Sequence, residues 1–191
     1  MAKKVIDTWK TKQWYQVYAP ELFGNKVIGE VVATEDKVLM NRILKVGMNE
    51  LTGDYSQMYT LVKLRIVDVK GKNAYTRFIG HELPASFINT FIRRHRTLVD
   101  DVVDVTTSDG KPLRIKLIIF AAGKIARGTE AEMRTTIRRE LKAAALKLTL
   151  DGLLTEIFFK KFPMKFIDSL KKIAPLKRVE FRKTETKEVF A

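Results

Sequence analysis

The chain has 191 residues, 46% of them hydrophobic, and carries a formal net charge of +14 at pH 7. This length and this apolar content are typical of a globular protein with its own core, and they exclude a disordered basic tail. The sequence contains no cysteine, which excludes disulfides, thiolate zinc sites and cysteine nucleophiles.

The 36 Lys and Arg residues favour a polyanionic partner, most commonly nucleic acid. The alternative is that the excess cations only keep the protein dissolved. Cations at this density repel one another unless something neutralises them, so we favour the first interpretation. The longest apolar runs, such as 117–122, are too short to cross a bilayer, and the N-terminus lacks the apolar core of a signal peptide. We therefore expect a soluble, cytoplasmic protein with no membrane partner.

The first half of the chain predicts an arm followed by strands. Residues 1–14 are expected to form an irregular basic arm that Trp9 and Trp14 pack onto the core, with stacking on RNA bases as the alternative role of both side chains. Alternating runs then predict strands at 14–18, 27–34 with a bulge at Gly29, 42–46, 59–69 and 74–82. Lys70 and Lys72 lie at the turn between the last two and are predicted as additional phosphate contacts.

A helix is predicted to begin near Pro84, which suits a first helical turn. Its buried stripe is expected to consist of Phe87, Ile88, Phe91 and Ile92. The helix is predicted to end in a cationic run of Arg93, Arg94, His95 and Arg96. The helix dipole favours cations at this end, but three arginines exceed that need. We therefore expect them to contact phosphate.

A basic hairpin follows, with strands at 102–107 and 113–117. The Asp109–Gly110 pair between them predicts a two-residue type I′ turn. Period-two alternation places Arg114 and Lys116 on the face opposite the aliphatic residues of the second strand. The loop after the hairpin carries two more cations, Lys124 and Arg127.

A long basic helix is predicted next, with Thr129 and Glu132 as a capping box at its start. Its apolar stripe is Met133, Ile137, Leu141, Ala144 and Leu148, and cations at Arg134, Arg138, Arg139 and Lys142 lie beside that stripe. Between positions 111 and 147 the chain has ten Lys or Arg against three Glu. The sequence thus predicts a phosphate-binding surface formed by Arg93, Arg94, Arg96, Arg114, Lys116, Lys124, Arg127, Arg134, Arg138 and Arg139.

The C-terminal part predicts a break at Gly152, helices at 153–159 and 164–173, and a strand at 176–183. The order of elements predicts an α+β fold with mainly antiparallel strand pairing. No linker-like segment divides the chain. We therefore expect a basic arm at 1–14, a single domain at 15–183 and a loose tail at 184–191.

Little in the sequence points to catalysis. His81 and His95 are the only histidines, and His81 is interpreted as a structural, hydrogen-bonded residue. The bare Gly-Lys pairs lack the frame of a phosphate-binding loop. Asp100, Asp101 and Asp104 are the best candidates for a magnesium-dependent nuclease, although a spacing of three puts Asp101 and Asp104 on opposite faces of a strand. We assign no catalytic residue, metal site, cofactor or small-molecule substrate. A second alternative is a protein-interaction module whose lysine-rich C-terminal region docks an acidic partner.

Five ordered segments carry a resemblance to a known family. They are DVVDVTTSDGKPLR (101–114), FIGHEL (78–83), ELTGDYS (50–56), KQWYQVYAPELFG (12–24) and VIGE (27–30). In these segments the chain resembles the small-subunit ribosomal protein family of archaea and eukaryotes called S-three-a-e, and the likeness extends from Lys3 to about Lys183. Five motifs in the right order and spacing are a specific signal.

The resemblance implies a structural protein of the small ribosomal subunit that binds rRNA on the platform, near the mRNA exit region and the 3′ end of the small-subunit rRNA. It implies neighbouring platform proteins as partners, with mRNA near the exit region as a further one, and no catalytic site. It also implies a β-rich, barrel-like sheet followed by long helices, two to four helices in all. Because the sequence stops at Ala191, without the basic extension of eukaryotic relatives, an archaeal-type member is expected.

Overall fold

A computed structural model describes residues 9–159 and 161–187 of the chain. The predictions for residues 1–8 of the arm and 188–191 of the tail lie outside the described residues. The chain divides into two compact units, one ending at Ile79 and the other beginning at Gly80. The single domain at 15–183 stays a prediction.

Unit 1 is a mixed sheet with two short helices. Its elements are β1 (Gln13–Tyr18), β2 (Val27–Ala33), α1 (Asp36–Leu39), β3 (Ile43–Gly47), α2 (Met48–Thr52), β4 (Leu61–Lys70) and β5 (Asn73–Glu82), the last of which continues into unit 2. The strand order is β2-β1-β5-β4-β3, and only the β1–β5 pairing is parallel among the pairings whose register is described. The expected bulge is present, since the β1–β2 register skips Ile28 beside Gly29.

Unit 2 combines an antiparallel sheet with helices. Its elements are α3 (Ala85–Asn89), β6 (Leu98–Thr106), β7 (Pro112–Ala121), α4 (Arg127–Ala145), α5 (Leu150–Phe158), α6 (Lys161–Leu170) and β8 (Leu176–Thr186). The end of β5, Gly80–Glu82, pairs with β8, which pairs with β7, which pairs with β6. The α4 stripe of Met133, Ile137 and Leu141 is fully buried, and the helix packs on β6.

The α+β class with mainly antiparallel pairing is confirmed. Within the described residues the sheet does not close, so the predicted barrel-like sheet is in fact open. Among the described residues the helices are also more numerous than expected, because the short α1 and α2 add to the four helices α3, α4, α5 and α6.

Among the described residues, no helix combines the length and the apolar character that crossing a membrane requires.

The basic hairpin forms as predicted, but its turn is different. Only Gly110 has a positive φ, at 73°, and Asp109 does not. Gly110 N donates to Thr107 O at 2.9 Å, and Thr107 N donates to Lys111 O at 3.1 Å. These bonds close a three-residue loop in which a single left-handed glycine follows a turn, so the type I′ prediction is wrong.

The bounds of the long helix also differ from the prediction. Helix α4 begins at Arg127, after an extended Ala126 that makes no side-chain cap, so Thr129 and Glu132 lie inside the helix and form no capping box at its start. It ends at Ala145. Thr149 then caps α5 by accepting a hydrogen bond from Gly152 N at 3.3 Å. Gly152 therefore lies in the first turn of a new helix and does not break the old one.

Helix α3 is shorter than predicted, because it ends at Asn89 and the chain then turns. Ile92 is 48% exposed and does not belong to the buried stripe. At the C-terminal end of the chain, β8 continues to Thr186, so the first three residues of the predicted tail are strand.

Trp9 and Trp14 are 66% and 61% exposed. The expectation that both pack into the core is therefore wrong.

Candidate nucleic-acid interface

Two loops of unit 2 are joined by one threonine. Thr97 N donates to Gly123 O at 3.0 Å, and Ala121 N donates to Thr97 O at 3.0 Å. Ile125 N donates to Thr97 Oγ1 at 3.0 Å. These three bonds lay the loop that follows α3 beside the loop that follows β7. Segments that are distant in the sequence therefore form one surface.

That surface is cationic. The loop after α3 carries Arg93, Arg94 and Arg96, and the loop after β7 leads through Lys124 to Arg127 at the start of α4. All five side chains are exposed, and in the described part of the chain none of them forms an ion pair with an acidic side chain. We call these five residues the cationic loop pair. Their charges are available to an external anion.

The base of the first loop is anchored by apolar and aromatic packing. Ile88 of α3 packs with Ile118 and Phe120 of β7. The guanidinium of Arg178 lies 4.7 Å from the ring centroid of Phe91 and is hydrogen-bonded to Glu180. A cation over an aromatic face stabilises both groups. Here Arg178 serves the fold, while the neighbouring arginines of the loop point to solvent.

The predicted arginines of α4 fall into two groups. Arg138 donates two hydrogen bonds to Asp101, at 2.8 and 2.5 Å, and Arg134 donates to Asp100 O at 3.1 Å. The Asp101 carboxylate is 3% exposed, and its hydrogen bonds raise the pKa of the Arg138 guanidinium above its ordinary value. Arg139 is exposed and contacts none of these groups. Arg134 and Arg138 thus attach α4 to β6, whereas Arg139 faces away.

The cations of β7 are also partnered. Arg114 holds Asp104 through two hydrogen bonds of 2.7 and 2.9 Å. The hydrogen bond from Arg114 is the main reason that the pKa of Asp104 is lowered. Lys116 Nζ lies 3.9 Å from a carboxylate oxygen of Glu185. These two predicted phosphate ligands are therefore partly neutralised within the sheet.

The two predicted cations of unit 1 lie at the β4–β5 turn. Lys70 Nζ is 3.3 Å from Asp68, and Lys72 is exposed beside Gly71, which has a φ of 63°. These two cations therefore belong to a different unit from the cationic loop pair.

The acidic candidates do not converge on a metal. Asp101 is buried against Arg138, whereas Asp104 is exposed on the other face of β6 against Arg114. The predicted opposite placement is confirmed. No cluster of three or more potential ligands was found among the described residues.

Replacing Arg138 by Gln is expected to lower the denaturant concentration at mid-unfolding, because it leaves the buried Asp101 carboxylate without its charged partner. Arg139→Gln is the matched control, one position along the same helix, and should leave stability unchanged. Equal stability of the two variants would contradict the assignment of Arg138 as the attachment of α4.

Thr97 is a residue of this surface that could not be predicted from the sequence. Its role depends on which loops the strand register brings together, and no local pattern around position 97 indicates that.

Comparison with known proteins finds a matching family and several similar proteins. The model of the Ribosomal S3Ae family matches residues 1–189. A protein of Methanothrix thermoacetophila named small ribosomal subunit protein eS1 is 35% identical over 184 residues, which cover 96% of this chain and 87% of the relative. Proteins of the same name from Sulfurisphaera tokodaii and Saccharolobus islandicus are 36% and 33% identical, and the alignments cover 95% and 97% of this chain and 94% and 89% of those relatives. These names are those of an archaeal ribosomal protein and not of an enzyme. A family model that spans nearly the whole chain, together with relatives at this identity and coverage, shows that the chain belongs to the Ribosomal S3Ae family.

Proposed function

We propose that the protein is a structural constituent of the small ribosomal subunit, in the cytoplasm, and that it binds small-subunit rRNA through the cationic loop pair. The observation that carries the proposal is the joining of the two loops by Thr97, which gathers five unpaired, exposed cations into one surface. Each cation that neutralises a phosphate releases a counterion, so such a surface binds RNA with an affinity that falls as salt rises.

The remaining predicted ligands rank by how far they are already neutralised. Arg139 is exposed and has no acidic partner among the described residues, so we expect it to contribute fully. Arg114, Lys116, Arg134 and Arg138 would have to exchange a protein oxygen for a phosphate oxygen, so we expect weaker contributions from them. Lys70 and Lys72 stay predictions of a separate contact in unit 1.

The finer location rests on the family. We propose that the protein lies on the platform, near the mRNA exit region and the 3′ end of the small-subunit rRNA, with other platform proteins and mRNA within reach. Chemical cross-linking of the protein within native small subunits tests this location. Cross-links to the 3′ region of the rRNA are expected, and cross-links confined to other regions would contradict it.

The test of the interface is a fivefold variant, Arg93→Gln, Arg94→Gln, Arg96→Gln, Lys124→Gln and Arg127→Gln. Binding to purified small-subunit rRNA is measured across a salt series. Because each phosphate contact contributes about 0.7 to 0.9 to the slope of log affinity against log salt, the slope should fall by about 4. Sedimentation measures incorporation of the variant into small subunits, and we expect this incorporation to fall as well.

A second fivefold variant supplies the matched control. It removes the same charge from the lysine-rich C-terminal region, at positions Lys161, Lys165, Lys171, Lys172 and Lys177, which are all exposed. We expect this variant to keep most of the wild-type slope. An equal loss in the two variants would mean that total charge matters and the loop pair does not. Loss in the control alone would mean that the RNA binds the C-terminal region and not the loop pair.

A further inference from the structure

Unit 1 exposes aromatic side chains along one face of β1. Residues Trp14, Gln16 and Tyr18 alternate with the buried Tyr15 and Val17, so the first three share the outer face of the strand. Trp14 is 61% exposed. The buried face of β1, formed by Tyr15 and Val17, already supplies its packing against the core. Core packing therefore does not account for a tryptophan on this side.

The aromatic face continues onto the neighbouring strand. Tyr18 and Tyr75 are register partners in the parallel β1–β5 pair. Their rings are stacked, with centroids 5.5 Å apart and planes 23° from parallel. Tyr75 remains 39% exposed. The backbone of a sheet holds these rings at fixed spacing, and such a platform resembles those on which unpaired bases stack.

Cations border this face. Lys70 Nζ lies 5.7 Å from the Tyr75 ring centroid, and Lys72 and Arg77 are exposed nearby on the turn and on β5. Two acidic groups also face it, since Asp68 pairs with Lys70 and Glu30 is the register partner of Gln16. The balance of charge is only weakly positive. Base stacking would therefore contribute more here than phosphate neutralisation.

We propose that this face of unit 1 is a binding site for unpaired RNA nucleotides, on which bases stack against Trp14 and the Tyr18–Tyr75 pair. The site deepens the proposed RNA-binding function, but it does not depend on the cationic loop pair, which lies in unit 2. Single-stranded RNA is its substrate class, because paired bases cannot present their faces to a side chain.

The test uses the full-length chain and a labelled, unstructured single-stranded RNA of mixed A and C, with the same sequence as a duplex for comparison. Fluorescence anisotropy gives the affinity across a salt series. Trp14→Leu should weaken single-strand binding by about tenfold, in line with the loss of one stacked base. The slope against salt should stay unchanged, because no phosphate contact is removed. Trp14→Phe, which keeps an aromatic face, should bind within about threefold of wild type.

Tyr55→Leu is the matched control, since Tyr55 is an aromatic residue of the same unit and is 82% exposed outside the strands. It should bind as wild type does. Urea unfolding of every variant verifies that the fold is intact. In a Trp9→Phe background Trp14 is the only tryptophan of the chain, so its fluorescence should be quenched by the single strand and not by the duplex.

Two results would overturn the proposal. One is equal affinity of folded Trp14→Leu and wild type for the single strand, with no quenching of Trp14; the face would then be a contact for another protein. The other is a loss of affinity in Trp14→Leu that is accompanied by a smaller slope of log affinity against log salt, which would make the effect electrostatic. Either outcome leaves the loop-pair experiment unaffected, so failure here and failure of the proposed function are distinguishable.

Discussion

Replacing Gly80 by Ala is expected to destabilise the protein by about 3 kcal/mol. A Cβ at this position would lie 2.1 Å from the backbone oxygen of Thr184, far inside van der Waals contact. Gly80 is the register partner of Glu185 and begins the three-residue pairing of β5 with β8. Because the obstacle is backbone and not a flexible side chain, relief requires the two strands to separate.

Urea unfolding monitored by circular dichroism measures this loss. Gly123→Ala is the matched control in the same unit, because no atom lies within 4 Å of its added Cβ. The control should unfold at the wild-type urea concentration. A Gly80→Ala protein that also did so would mean that β5 and β8 are not paired in this register.

The stability of the protein is expected to fall as the pH drops from 6.5 to about 4, and His81 is expected to be a main cause. Burial lowers the pKa of His81 from 6.5 to about 4, and the Phe181 carbonyl and Glu82 offset this only in part. In that range the unfolded chain binds a proton that the folded chain does not, so acid favours unfolding. The contribution is on the order of 3 kcal/mol, fully present above pH 6.5 and lost progressively toward pH 4.

The geometry explains why this histidine stays neutral. His81 Nε2 lies 3.1 Å from Phe181 O, which can only accept, so Nε2 carries the proton. Nδ1 then accepts from the Thr184 hydroxyl at 2.7 Å. The ring also packs edge-on against Phe158, with centroids 5.3 Å apart. A second proton would have to displace the threonine hydrogen bond in a site that is 2% exposed.

Unfolding free energies of wild type and His81→Gln, measured between pH 4 and 7.5, test this expectation. The variant should show a smaller fall in stability below pH 6.5, whatever its stability at pH 7. His95→Gln is the control, because His95 is exposed and is the only other histidine. Parallel pH profiles of wild type and His81→Gln would refute the role of His81.

The strands were the most predictable part of the fold. Period-two alternation identified β4, β5 and β7 to within two residues at the ends nearest their turns, because one face of each strand is buried. The interpretation of His81 as a structural residue is confirmed by its two buried hydrogen bonds. The strands could be predicted because their pattern lies in residues adjacent along the chain. The role of His81 could be predicted because the sequence has only two histidines.

Helix ends were less predictable, since they depend on contacts made elsewhere. Thr129 and Glu132 have the spacing of a capping box, yet α4 begins two residues before Thr129. Helix α4 ends at Ala145, just before the chain contacts the basic hairpin, where Ser108 N donates to Leu148 O at 3.1 Å. No pattern within the helix contains that information.

Two adjacent arginines of the candidate interface have different environments, and the sequence alone does not distinguish them. Arg138 and Arg139 are chemically identical neighbours, and both were predicted to contact phosphate. A turn of about 100° on the helix sends Arg138 to the buried Asp101, 37 positions away, and Arg139 to solvent. Distinguishing them requires knowing which strand α4 packs on. The prediction that both bind phosphate stays to be tested.

The turn of the basic hairpin has a practical consequence for labelling the protein. Hairpin tips are usually tolerant places for insertions. Here, however, Asp109 at the tip accepts a hydrogen bond from Leu150 N at 3.1 Å, at the first residue of α5. Lengthening this loop to accommodate a tag or a fluorophore would remove that bond and loosen the start of α5.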